Sequence, residues 1–365
     1  MTEAMILADI LRKHLIMNAA GIFFIACFIN ALIKVRTVNL KEIAVAFPGG
    51  ACNDSQYRKI QRFFKDSALD LSMIARLTVE LLPVKNEDWV LTIDRTDWKY
   101  GKFNICILTL GIAYKGIAFP LVWFCLDKRG NSNTKERIKL TDRHIEIFGA
   151  DKIRCLTADR EFIGTEWFRY LLNLHISFCI RIKDNFLVAN SRGIPVPAKT
   201  LFRDLKIGES KILEGCRTVL GHQLYIIGMP LPDGEYLILV TDKDPETAID
   251  DYKLRWGIET LFGCLKTRGF NFEDTRMTSL PRIEKLVGLS AIAFCLCHNA
   301  GEQLNELRPI SIKKHGRKAI SIFRYGLDEF RGILLNIANN INKYKIFLRI
   351  LFQPLDISFI LLNKP

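Results

Sequence analysis

The chain has 365 residues, enough for two or three domains with sizeable cores, and its 49% hydrophobic and 25% charged residues are ordinary globular usage. No internal repeat or low-complexity tract interrupts it. The 52 Lys and Arg against 39 Asp and Glu give a formal charge of +13, which suggests a polyanionic partner, nucleic acid or an acidic membrane surface. A basic surface that is merely solvated is the bland alternative.

Residues 1–85 lack strand alternation and are expected to form a helical N-terminal domain. Within it, "LIMNAAGIFFIACFINALI" (Leu15 to Ile33) is long enough to cross a bilayer. It carries Asn18 and Asn30, is flanked by His14 and Lys34, and is followed by no cleavage site of the signal-peptide type. One or two core helices are therefore expected, and no membrane; a membrane anchor over residues 15–33 is the competing reading. Downstream, Asn39 can cap a short helix ending before "PGG", and Asn53, Asp54 or Ser55 can cap the next. That second helix carries Arg58, Lys59, Arg62 and Lys65 beside Ile60, Phe63 and Phe64. Helix, tight turn and basic amphipathic helix is the outline of a helix-turn-helix DNA reader.

After Pro83 the pattern changes to strands: "DWVLTIDRT", "FNICILTLGIAY" and "IAFPLVWFCLD", the last two joined by a "KG" hairpin turn. A polar helix ("TKERIKLTDRHIEIFG"), the strand "IRCLTAD", the helix "GTEWFRYLLNLH" and the strand "ISFCIRIK" follow. Residues 184–245 are turn-rich with short alternating strands, a β insertion. The predicted helix "YKLRWGIETLFGCLK" (252–266) comes next, and after Pro281 the chain is helical and basic, with Lys313, Lys314, Arg317 and Lys318. The reading is an α/β core over 86–183 and 246–310, the insertion between them, and a helical C-terminal region over 311–365.

The ten cysteines have no regular spacing and fit a reducing, cytoplasmic compartment. "CLCH" (Cys295 to His298) lacks a second ligand pair and reads as buried thiols rather than a zinc site.

Two aspartates occupy matching places, Asp94 after "VLTI" and Asp159 after "CLTA". Residues at the carboxyl ends of neighbouring strands converge on one crevice. On the helix at 252–266, Tyr252, Arg255, Glu259 and Lys266 share one stripe at about 100° per residue, opposite the apolar face of Leu254, Ile258, Leu261 and Leu265. Glu259 can thus join the aspartates. Three carboxylates that close repel one another unless cations bind between them, and hard divalent ions suit such donors. The bland readings are loop-capping aspartates and a surface Arg255–Glu259 ion pair; Asp97 competes with Asp94 as the first carboxylate.

"DRTDWKYG", "ADREFIG" and "YKLRWGIETLFGCLK", with the spacing Y-x2-R-x3-E-x6-K, resemble the motif blocks of DDE transposases of bacterial insertion sequences, the cut-and-paste group with a β insertion before the glutamate. The resemblance spans roughly residues 35 to 310. It implies a ribonuclease H-like mixed sheet, with Asp94, Asp159 and Glu259 holding two Mg²⁺ (or Mn²⁺) ions. It also implies that Tyr252, Arg255 and Lys266 grip phosphates of DNA. Such enzymes act on their element's terminal inverted repeats and on target DNA, through a DNA hairpin with an extruded base, as a homodimer in the synaptic complex. Tyr225, Tyr236 and Trp256 are candidates for holding that base, although Trp256 can equally be packing. No nucleotide cofactor is implied, and the location implied is the bacterial cytoplasm, at the nucleoid. Competing readings are a metal-dependent nuclease or resolvase of the same fold, or a catalytically silent, element-derived DNA-binding protein.

Overall fold

The computed structural model describes residues 1–82, 88–314 and 316–352. The expected domain boundary between residues 85 and 86, and the end of the C-terminal region after 352, lie outside them. Contacts divide the chain into two compact units, one drawn from 1–85, 98–105 and 262–365, the other from 86–97 and 106–261.

The first unit is helical. Its N-terminal part comprises α1 (Glu3–Leu11), α2 (Ala19–Val35), α3 (Leu40–Ala46), α4 (Asn53–Asp66) and α5 (Leu71–Leu81). Side-chain oxygens of Thr2, Asn18, Asn39 and Asp70 cap α1, α2, α3 and α5, each accepting a backbone N–H that the first turn leaves unpaired. Cys52 precedes α4 and makes no side-chain cap, so the polar trio at 53–55 lies inside the helix rather than before it. The apolar segment expected to be core is core: Ile25, Phe28, Ile29 and Ile33 of α2 are fully buried. No single helix among the described residues is long and apolar enough to cross a membrane; α2 and α3 pass that test only as a pair bent by 103°.

The second unit is a mixed α/β layer. Its strands begin with β1 (Trp89–Tyr100), β2 (Phe103–Tyr114) and β3 (Ile117–Leu126). Lys115 and Gly116, with φ of 45° and 83°, make the tight turn between β2 and β3. Positive φ at both central residues matches the right-handed twist of an antiparallel hairpin. Helix α6 (Thr134–Phe148), opened by an Asn133–Glu136 capping box, leads to β4 (Ile153–Ala158); α7 (Thr165–Asn173) leads to β5 (Phe178–Ile182).

The insertion contributes β6 (Leu187–Ala189), β7 (Pro195–Pro197), β8 (Lys211–Ile212), β9 (Arg217–Val219), β10 (His222–Pro230) and β11 (Tyr236–Thr241). The main sheet runs β3-β2-β1-β4-β5-β11-β10-β8. Strands β1, β4 and β5 are parallel neighbours, and β11 joins β5 antiparallel, so the insertion continues the central sheet. Three antiparallel strands followed by two parallel ones, in the order 3-2-1-4-5, form the ribonuclease H-like core.

Two short helices follow, α8 (Ala248–Leu254) and α9 (Gly257–Leu265), and the helical unit resumes with α10 (Leu280–Leu307), α11 (Ile322–Leu335) and α12 (Ile337–Phe352). Cys295, Cys297 and His298 are buried in the middle of α10, and among the described residues no group of three or more His, Cys, Asp and Glu is arranged to hold a metal ion.

Candidate active site

The register of the parallel pair β1–β4 sets the first two carboxylates side by side. Its last partners are Ile93 and Ala158, so Asp94 and Asp159 are the next residue on each chain. Neighbouring strands lie about 4.8 Å apart, and matching positions of a parallel pair face the same side. The sequence reading ended the first strand at Asp94, where the apolar run stops; in the structure β1 continues to Tyr100, so Asp94 sits within the strand. Each aspartate is held alike: Oδ1 of Asp94 accepts the N–H of Arg95 at 2.8 Å, and Oδ1 of Asp159 accepts that of Arg160 at 2.7 Å. Asp97, the competing carboxylate, has a side chain 67% exposed and pairs with Arg95 at 3.3 Å.

The third carboxylate arrives on α9, and here the expected single helix is corrected. The segment from Tyr252 to Lys266 is two helices with a break at Arg255 and Trp256, bridged by tight turns from Arg255 N–H to Tyr252 O and from Ile258 N–H to Arg255 O. The cause is tertiary. An added Cβ on Gly257 would stand 2.7 Å from the carbonyl carbon of Ile117, so glycine lets the chain press directly on the backbone of β3. The apolar face survives the break, with Ile258, Leu261 and Leu265 buried.

At the break, Tyr252 and Arg255 are buried and turned toward the carboxylates. The Tyr252 hydroxyl donates to Asp159 Oδ1 at 3.2 Å. One guanidinium nitrogen of Arg255 donates to Glu259 Oε1 at 2.7 Å, and the other lies 3.6 Å from Asp94 Oδ2. Arg255 also lies over the rings of Tyr252 and Trp256, at 5.5 and 5.8 Å from their centroids. Asp94, Asp159 and Glu259, separated by up to 165 positions, thus surround one guanidinium and one phenol.

Burial pushes the Asp94 carboxyl up to about 7, raised further by Glu161 and Glu259 and opposed by the Arg95 N–H and the Arg255 charge. Burial likewise raises the Tyr252 phenol, which stays protonated and available to donate. One arginine offsets only one of three carboxylates, so the site favours added positive charge. The all-oxygen donor set suits a hard divalent cation. Its present spacing is that of an arginine bridge, with no three of these side chains close enough to share one ion. An open cavity of about 400 Å³ adjoins Asp159, lined by Asn131, Arg160, Glu161, Ile163 and Lys183.

The family described as "Transposase DDE domain" matches residues 85–296, more than half of the chain and the whole stretch that carries these carboxylates. The protein is a member of the DDE transposase family. Members of this family cleave and rejoin DNA phosphodiesters and generally use divalent metal ions. Among solved structures, the chain is similar to that of a piggyBac transposase synaptic complex with hairpin DNA, at 15% identity and a TM-score of 0.45, over 92% of this chain and 77% of that one. No curated protein matches the sequence.

The remaining expected contact residues belong to the helical unit. Lys266 follows α9 in the helical unit, where it pairs with Glu273 at 2.8 Å and sits 5.7 Å over the Trp98 ring. Arg58, Lys59, Arg62 and Lys65 are exposed along α4, while Ile60 and Phe64 anchor its other face. Lys59 stands 5.8 Å over the Phe47 ring. Arg58, Arg62 and Lys65 line an open cavity of about 730 Å³ together with Arg282. Arg282, near the start of α10, was missed by the sequence reading; it falls 217 positions beyond Lys65, and only the fold puts them together. Trp256 is 61% exposed, so it is not a packing residue. Also missed were Arg95 and Glu161, which stand inside the motif blocks beside the two aspartates and bond to each other at 3.0 Å.

Proposed function

We infer that this protein is a DNA transposase that cuts at the ends of its own insertion sequence and joins the freed 3′ ends to target DNA. The observation that carries the reading is the convergence of Asp94, Asp159 and Glu259 on the Tyr252–Arg255 turn, inside the segment that matches the family. Asp94, Asp159 and Glu259 would hold two Mg²⁺ or Mn²⁺ ions, which when bound activate a water or 3′-hydroxyl and stabilise the leaving oxygen. Asp94 supplies a carboxylate that binds a cation once its proton leaves, and Tyr252 keeps Asp159 oriented. Excision proceeds through a DNA hairpin, with exposed Trp256, or Tyr225 or Tyr236 of the insertion, stacking on the extruded base.

The DNA-binding surface comprises the 1–85 helical region, with Arg58, Lys59, Arg62 and Lys65, and Lys266 on the helical unit. Arg58 and Arg62 suit paired contacts to phosphate oxygens, and the lysines act as point charges. Tyr252 and Arg255 reach phosphates by exchanging their carboxylate partners for them. Two element ends are brought together by a homodimer, in the cytoplasm of a bacterium, at the nucleoid.

Incubation with the element's terminal DNA and Mg²⁺ tests this reading. Nicks, hairpins and joined products are expected. Asp94→Asn, Asp159→Asn and Glu259→Gln should abolish cleavage and keep end binding. Full activity in any one removes that residue from the site, and cleavage without joining replaces the transposase with a nuclease. Lys266→Ala should weaken end binding and lower its salt dependence.

A further inference from the structure

The ladder between β1 and β4 ends at Ile93 and Ala158, one residue short of the aspartates, so the register sets Asp94 and Asp159 side by side but no ladder bond joins those two residues themselves. The next tie across the two chains is made by side chains. Arg95 Nε donates to one oxygen of Glu161 at 3.0 Å, and a terminal nitrogen of the same guanidinium donates to the other at 3.3 Å. The same guanidinium also donates to Asn131 at 3.2 Å and Asp97 at 3.3 Å. A planar fork on a carboxylate constrains angle as well as distance, which a lysine in its place would not do.

Glu161 is held from behind as well. The buried Arg137 of α6 donates to the carbonyl oxygens of Glu161 at 2.8 Å, Ile163 at 3.2 Å and Ser132 at 2.6 Å. It also lies 4.9 Å over the Phe162 ring. The turn that carries Asp159 is therefore tied to α6 through its backbone and to β1 through Glu161. Both oxygens of Glu161 are taken by Arg95, so it is engaged as a strut. Two neighbouring carboxylates repel, and the Arg95–Glu161 tie holds the two segments together against that repulsion.

We propose that Arg95 and Glu161 are positioning residues: their paired bond sets the spacing of Asp94 and Asp159, and with it the affinity of the site for divalent ions. The cleavage part of the test rests on the transposase reading; the metal-binding part does not.

The experiment makes Arg95→Gln and Glu161→Gln, singly and together, in the full chain. It reads Mn²⁺ titration of the DNA-free protein, binding of the element's terminal DNA, Mg²⁺-dependent cleavage, and the melting temperature. Residues that orient metal ligands typically cost about ten- to hundredfold in metal affinity or activity when replaced. Each single variant should weaken Mn²⁺ binding and slow cleavage within that range, with terminal-DNA binding kept within about twofold. The double variant should lose no more than the worse single one, because either change already opens the tie. Unchanged Mn²⁺ affinity in both single variants, or losses that multiply in the double variant, overturns the proposal. A wild-type protein whose Mn²⁺ binding requires Asp94 but which never cuts terminal DNA overturns the transposase reading instead, and the Mn²⁺ titration then decides the tie alone.

Discussion

Asp94→Asn should stabilise the metal-free protein, and the gain should grow with pH. Asp94 ionises near 7 in the folded chain against 3.8 for a free side chain. Between those values the folded state holds a proton that the unfolded state has lost, so stability from this group falls as pH rises. The factor (1 + 10^(7−pH))/(1 + 10^(3.8−pH)) is roughly 95 at pH 5 and close to 1 at pH 8, which corresponds to about 2.5 kcal/mol lost between them. An asparagine has no proton to lose. Urea unfolding of wild-type and Asp94→Asn proteins, in chelator at pH 5 and pH 8, measures the effect. The variant should gain about 2.5 kcal/mol relative to wild type between the two pH values. Addition of Mg²⁺ at pH 8 should narrow the gap, because a bound cation stabilises the ionised carboxylate only in the wild type. A difference between the two proteins that is flat in pH would refute the reasoning. It would mean that Asp94 ionises normally and that Arg255 fully compensates its burial.

His144 supplies a second pH effect of opposite sign. Its buried ring nitrogens have no hydrogen-bond partner among the described residues and burial pulls its pKa down to about 4, so stability should fall by about 2.5 kcal/mol as pH drops from 6.5 to 4; urea unfolding of His144→Leu should lack that fall. Gly257→Ala would place a methyl 2.7 Å from the Ile117 backbone and should cost about 1–3 kcal/mol. Because α9 must shift and Glu259 rides on it, cleavage should drop more than DNA binding, read by melting temperature and a cleavage assay. Arg62→Ala and Arg282→Ala, on one cavity, should each weaken terminal-DNA binding and lower the slope of log K against log salt by about 0.9, measured by fluorescence anisotropy.

What was legible in the sequence were the features written in local pattern. Apolar runs bounded by turns gave strands at β1 to β5, and the Lys115–Gly116 turn gave its hairpin. The amphipathic face of α4 appears with its four cations outward. What escaped was non-local. Hydrophobic pattern could not say that β1 runs on past Asp94, because residues 95–100 are mostly polar, with Trp98 the one buried side chain, and form no apolar run. Periodicity ran the 252–266 helix straight through Arg255, because the contact that breaks it is made by Ile117, 140 positions before Gly257. Nor could spacing show that the insertion's β11 would take the edge of β5, since partner choice among strands is tertiary. The Arg95–Glu161 bond stood in two quoted motifs, unseen, because its partners are 66 residues apart.

The break at Arg255 also changes what the polar stripe of residues 252–266 means. On a continuous helix, Tyr252, Arg255 and Glu259 would form an exposed row with separate tasks. In the structure the first two are buried and bonded to carboxylates, and Glu259 Oε1 is the partner of Arg255. A carboxyl already raised to about 7 beside Arg255 would rise further without it. Without Arg255 beside it, Asp94 would therefore hold its proton at neutral pH unless another cation took over that charge. On the proposed transposase reading, a divalent ion at Asp94 would take over that charge and free Arg255 to turn toward a phosphate.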